Sequence, residues 1–180
     1  MPKFTLPCHP LRPLLLGAAL IALAACSPQY DWREVRGSAA PFTVLLPAKP
    51  ATLSRPVNLD GVQVTMAMTA AEVGGVTFAV GSAELPDAAV AQLALLAMKK
   101  AMLSNIKGTI RSEQARGAAA DGATSGTDLE ATGSIGGQSA RLFARFAAKD
   151  KRVYQVIVLG PDKAVSRDAA DTFFTSFKLH

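Results

Sequence analysis

Two runs near the C-terminus, Arg141 to Ala148 (RLFARFAA) and Val153 to Leu159 (VYQVIVL), are separated only by Lys149-Asp150-Lys151-Arg152. Each run is strand-length and the polar tetrapeptide supplies the turn, so the pair predicts a hairpin. Leu142, Ala144, Phe146 and Ala148 share one face of the first run, opposite Arg141, Phe143, Arg145 and Ala147. Tyr154, Val156 and Val158 share a face of the second, opposite Val153, Gln155, Ile157 and Leu159. Both sides are apolar enough that the hairpin must sit near the centre of a sheet, covered on both faces by other elements.

The preceding chain supplies candidates for those elements. Phe42 to Leu46 (FTVLL) is strand-like and stops at Pro47, and Pro50 and Pro56 mark irregular or edge structure. Val62, Val64, Met66 and Met68 alternate with Gln63, Thr65, Ala67 and Thr69, the period of a half-buried strand. Ala70 to Gly75 is expected as a turn longer than two residues, and Val76 to Val80 as the returning strand. Asp87 is placed to cap a helix running from Ala88 to about Ile106, rich in alanine, leucine and methionine. Its expected inward stripe is Leu93, Leu96, Lys100, Leu103 and Lys107, flanked by Val90, Ala97 and Ile106. Lys99, Lys100 and Lys107 do not build the strongly basic face of a lipid-surface helix. Gly108 ends the helix, and Thr109 to Glu113 is a further strand candidate. Ala115 to Thr127 (ARGAAADGATSGT) reads as a long mobile loop and a candidate binding rim. Val165 to Thr175 closes the chain as a short helix, with Phe173, Phe174 and Phe177 as core anchors and residues 176–179 extended.

The fold class is therefore α+β, a largely antiparallel sheet covered by helices. The opening FTVLLPAKP, the hairpin ending in RVYQVIVLG and the closing AADTFFTSFKL resemble small exported domains of the PsbP/Mog1-like fold, across most of residues 42–179. That resemblance implies an α/β/α sandwich, often in an accessory or assembly role, and carries no activity with it.

The N-terminal part follows a different grammar. Met1 to Pro13 carries Lys3 and Arg12 and no acid, and Leu14 to Ala25 (LLLGAALIALAA) is an apolar run too short to span a bilayer permanently. A signal peptide over residues 1–25 is expected. The junction Leu23-Ala24-Ala25-Cys26 resembles the lipobox of bacterial lipoproteins. The resemblance implies diacylglycerol on the Cys26 thiol, cleavage before it, and acylation (palmitate or a similar chain) of the new amine. Ser27, where many Gram-negative lipoproteins retained at the inner membrane carry aspartate, implies the periplasmic face of the outer membrane. Residues 26–41 are then a lipidated tether and residues 42–180 a single domain. Tyr30 and Trp32, the tether's aromatics, either rest at headgroup level or dock back on the domain.

Removing residues 1–25 takes two of the 19 basic side chains and none of the 14 acids, leaving 17 against 14. A balance of +3, scattered and without interleaved aromatics, does not point to nucleic acid. Cys8 leaves with the signal and Cys26 is committed to lipid, so no internal disulfide is expected. His9 is discarded and His180 is terminal, so residues 26–179 hold no histidine and no thiol free to attack. The Ser-His-Asp and Cys-His arrangements are therefore absent, and no catalytic residue, metal ligand or cofactor is assigned. Asp121 and Asp128 flank the glycine-rich segment without calcium-loop order, and Gly117, Gly122 and Gly126 lack phosphate-loop spacing. Glu72, Glu84, Asp87, Glu113, Asp128 and Glu130 remain able to converge in space.

Arg141 and Arg145, on one strand face, together with Tyr154 form a candidate patch for a ligand or partner. The expected function is a noncatalytic, membrane-tethered accessory, assembly or interaction module. Its partners would be membrane lipid through Cys26 and a protein of the cell envelope. The alternative is a small-ligand or lipid-binding domain using the cleft between sheet and long helix, near Met98, Met102, Phe143 and Tyr154, gated by residues 115–130.

Overall fold

The computed structural model describes residues 29–118, 122–123 and 125–180. The signal peptide, Cys26 and Asp121 lie outside the described residues. Seven strands form one sheet: β3 (Ala51–Leu59), β4 (Val62–Val73), β5 (Val76–Glu84), β6 (Thr109–Arg116), β7 (Ser125–Ile135), β8 (Gln138–Lys149) and β9 (Arg152–Pro161). Their order is β3-β4-β5-β9-β8-β7-β6, with every neighbouring pair antiparallel. The expected hairpin, β8 and β9, occupies the middle of this sheet, as its two apolar faces require.

One face packs on α1 (Ala88–Asn105). The other carries α2 (Arg167–Ser176) and a small three-stranded sheet, β1 (Arg33–Arg36), β2 (Phe42–Leu46) and β10 (Lys178–Leu179), ordered β1-β2-β10. The result is an α+β sandwich with two cores. The α1 side buries Leu142, Ala144, Phe146, Val153 and Ile157, and the α2 side buries Phe143, Ala147, Tyr154, Val156 and Val158. The alternation in the sequence thus sorts the residues of the central hairpin onto their observed faces.

Several local expectations are corrected. Residues 70–75 are not a long turn: β4 runs to Val73, and Gly74 (φ 59°) and Gly75 (φ 76°) alone connect it to Val76. Two successive positive φ values suit a tight hairpin and are open to glycine at no steric cost. As expected of its prolines, the stretch after Pro50 is edge structure: it forms β3, with Pro56 inside it, where a missing N–H need leave no ladder partner unsatisfied. The segment Ala115 to Thr127 is shorter as a loop than expected, because β6 continues to Arg116 and β7 begins at Ser125.

The face of α1 differs as well. Asp87 caps it as anticipated, its Oδ1 accepting from the Val90 N–H at 2.8 Å, but the buried residues are Ala91, Ala94 and Met98. Leu93 and Leu96 are 63% and 62% exposed. Small side chains let the helix axis come close to the sheet, and the larger leucines then face outward.

Trp32 docks on the domain. Its ring meets Phe78 edge-on at 6.1 Å, and Tyr30 meets Phe78 at 6.3 Å. From Arg33 to Arg36 the chain pairs with β2, and the Asp31 N–H donates to the Pro47 carbonyl at 2.9 Å.

Candidate functional site

The groove of interest follows from a mismatch in coverage. On the α2 side, α2 shields the centre of the sheet but leaves β7 and β6 bare, and an open groove of about 550 Å³ runs between helix and strands. Its floor is Phe143 and Arg145 of β8 and Asp128 and Glu130 of β7; Ser112 and Gln114 of β6 form one bank, and Arg167, Asp171, Phe174 and Thr175 of α2 the other. The register places these side chains together. Asp128 lies opposite Arg145 and Glu130 opposite Phe143, while Gln114 faces Asp128 and Ser112 faces Glu130.

Arg145 is the centre of the floor and only 9% exposed. Its Nε donates to Asp128 Oδ1 at 2.8 Å, its Nη2 to Oδ2 at 3.1 Å and its Nη1 to the Phe174 carbonyl at 3.2 Å. The same guanidinium lies 5.4 Å from the centre of the Phe174 ring. Arg116 Nη1 donates to Asp128 Oδ2 at 2.9 Å from the β6 side. Arg167, 4.7 Å from the centre of the Phe143 ring, donates to Glu130 Oε2 at 2.6 Å. Fork-shaped guanidinium groups suit both bidentate carboxylate pairing and stacking on a ring face. The groove thus presents a preformed mosaic of paired charges and two phenylalanine faces.

Of the carboxylates able to converge, Asp128 and Glu130 meet in this groove, each held by a guanidinium, whereas Glu113 sends its carboxylate to the α1 side of the sheet, where Lys99 Nζ donates to it at 2.6 Å. Glu84 lies elsewhere, where Lys151 and Arg152 bond to it and hold its carboxyl below the usual value of 4.5. Asp87 is a helix cap and Glu72 is an exposed residue near the β4–β5 turn.

The candidate patch does not assemble as one unit. Arg145 lines the groove, but Arg141 is drawn to Asp162 at 2.8 Å, and Tyr154 is fully buried between Phe42 and Phe177. The space between α1 and the sheet, where a ligand cleft was the alternative, is filled by Ala91, Ala94, Met98 and Ile106; Phe143 faces the opposite side. Phe174, expected as a core anchor, is half-buried at the groove instead. The role of Arg167 went unrecognised in the sequence. The available signal was the i, i+2 spacing of Asp128 and Glu130, matched by that of Phe143 and Arg145.

The hydroxyl of Tyr154 is buried and has no hydrogen-bond partner among the described residues. Burial is the main cause pushing the phenol above its ordinary 10.0; Arg152 lowers it and Asp150 raises it further. The folded chain therefore keeps this proton at pH values where the unfolded chain loses it, and stability falls as pH rises above about 10. Tyr154→Phe is expected to remove that alkaline loss while leaving stability at neutral pH within about 1 kcal/mol of the parent or raising it. Urea unfolding of both proteins at neutral and alkaline pH checks this; an equal alkaline loss in the variant would refute it.

Layer arrangement and strand order define an α+β sandwich of PsbP-like fold. The solution structure of cyanobacterial PsbP (CyanoP) from Synechocystis sp. PCC 6803 is similar to it, with a TM-score of 0.55 and 13% identity over 87% of this chain and 96% of that one. The apo structure of immunity protein TplEi of the T6SS from Pseudomonas aeruginosa aligns with a TM-score of 0.39 and 12% identity over 91% of this chain and 83% of that one, too distant to carry an argument. At these identities the likeness is one of fold alone. No protein-family model and no curated protein matches the sequence.

Proposed function

We propose that this protein is a noncatalytic accessory module of the bacterial envelope, anchored by acyl chains on Cys26, that holds an extended polypeptide segment of a partner in the α2 groove. The observation that carries this reading is the groove, where Asp128 is already bound by Arg145 and Arg116, and Glu130 by Arg167. A carboxylate whose two oxygens both accept from guanidinium groups is suited to presenting a fixed charge pattern, less so to taking a substrate proton. The neighbouring strand β6 is the last of its sheet and exposed along most of its length, an edge that an incoming strand can extend. Arg167 and Asp171 on the opposite bank offer both signs of charge to such a segment. The outer membrane's periplasmic face is the expected location, from Ser27.

A photo-crosslinking amino acid placed at Gln114 or Thr175 is expected to trap one defined envelope protein in cells, and Arg167→Glu to abolish the adduct without lowering the amount of folded protein. An adduct that survives Arg167→Glu, or forms equally from Lys100 on α1, would rule the groove out. Separately, Cys26→Ser is expected to move the protein from the membrane fraction to the soluble periplasmic fraction, since anchoring of this kind depends on the buried acyl chains. Unchanged membrane fractionation of the variant would reject the lipid anchor.

A further inference from the structure

We infer that one end of the sandwich, the end bearing Tyr30, Trp32, Lys49 and Lys163, rests against the lipid surface, so that the α2 groove opens sideways along the membrane. This rests on the proposed acylation of Cys26. Four peptide steps separate Cys26 from Tyr30. Whatever conformation residues 27–29 take, that length reaches at most about 14 Å. Tyr30 is no free tether residue but is fixed on the domain, packed against Trp32 at 5.5 Å and Phe78 at 6.3 Å. The fold therefore cannot swing away from its anchor; a bilayer holding Cys26 must lie close to the end of the domain where Tyr30 sits.

The strand registers identify that end. Asp31 is bonded to Pro47, two residues before Lys49, and Phe78 lies just inside the Gly74–Gly75 turn. Gly75 approaches Pro161, Asp162 is bonded to the Ser139 carbonyl, and the Gly136–Gly137 turn with half-exposed Ile135 follows alongside. Lys49 and Lys163 are exposed here and have no ion-pair partner among the described residues, whereas Arg33 and Arg141 are matched by Asp31 and Asp162. Two unpaired ammonium groups at the same end as half-buried tyrosine and tryptophan rings suit an anionic headgroup layer.

The exposed leucines of α1 offer a rival orientation that the tether forbids. Leu93 and Leu96 face away from the sheet, and Tyr30 and Trp32 pack in the layer on its other side. Laying α1 on the bilayer would interpose the helix, roughly 10 Å across, and a spacing of about 10 Å between sheet and opposite layer, more than the reach of about 14 Å from Cys26. The β8–β9 turn at Asp150–Lys151, with Arg116 at the end of β6 and Ser125 at the start of β7, then forms the end away from the membrane.

The acylated protein, extracted and returned to vesicles of zwitterionic and anionic phospholipid, tests this. With Cys26 acylated, the mature chain has no other cysteine, so single labels are clean at Lys49→Cys, Lys163→Cys, Lys100→Cys and Lys151→Cys. Environment-sensitive labels at positions 49 and 163, and the chain's single tryptophan, Trp32, are expected to lose emission to quenchers placed on headgroups, with emission at 100 and 151 unchanged. Loss confined to position 100, or equal loss at all four, with acylated Cys26 confirmed by mass in the same sample, would overturn the orientation while leaving the anchor intact. A bare Cys26 by mass would remove both.

Discussion

Phe78→Ala is expected to destabilise the domain by about 4 kcal/mol, near the upper part of the range for emptying a buried phenylalanine site. Phe78 is 1% exposed on β5 and stands edge-on to three rings: Phe173 of α2 at 5.5 Å, Trp32 at 6.1 Å and Tyr30 at 6.3 Å. It therefore ties together the large sheet, the terminal helix and the N-terminal segment, none of which can collapse into the void without breaking its own strand or helix packing. Loss of the ring also removes the support on which Trp32 rests. Urea unfolding should show a midpoint shift with little change in slope, and Trp32 emission should move to longer wavelength in the folded variant. A loss below about 1 kcal/mol would mean the three rings do not depend on Phe78. If the proposed membrane orientation holds, the folded variant should also lose the fixed geometry between anchor and domain.

The parts of this fold legible in the sequence are those in which burial dictates composition. β8 and β9 are buried on both faces and read as an apolar pair; Asp87 stands where a helix cap belongs, and Phe173 and Phe177 mark the terminal core. β7 was illegible because its α2 face carries Asp128, Glu130 and Thr132 over an uncovered groove, leaving mainly Leu129 and Ala131 to signal a strand. The orientation of α1 was misread for a related reason. Hydrophobicity favoured the leucines as the inward face, whereas the close approach to the sheet selected Ala91 and Ala94. The groove was only partly visible. Arg145 stood out as a charge among apolar neighbours, but its partners Asp128 of β7 and Phe174 of α2 lie 17 and 29 residues away in sequence, and only the tertiary fold brings them together. Tyr154 could be recognised as a strand residue, but nothing local showed that Phe42 and Phe177 would close over it.

Arg145→Ala carries the second large effect, an expected loss of about 3 kcal/mol, because it empties the place of a buried side chain and takes two donors from Asp128, a carboxylate 35% exposed, without removing that charge. Asp128 would keep Arg116 on Oδ2 but lose both bonds from Arg145, and the Phe174 carbonyl near the end of α2 would lose the Nη1 donor. Arg145→Lys should recover only part of the loss, since a single ammonium cannot meet Oδ1, Oδ2 and the Phe174 carbonyl in the plane that the guanidinium spans. The double variant Arg145→Ala/Asp128→Ala should be less destabilised than the sum of its single variants, with a coupling of about 1–3 kcal/mol between them. Additive losses would mean that the two side chains act separately and that the groove floor is not one unit. The coupling also separates architecture from recognition. Arg167, 58% exposed on its side chain, stacks over Phe143 at the surface of the same groove, so Arg167→Glu is expected to change stability by less than Arg145→Ala. A partner adduct lost in Arg167→Glu at nearly unchanged stability, together with a large stability loss in Arg145→Ala, would assign the buried arginine to holding the groove open and the exposed one to reading what enters it.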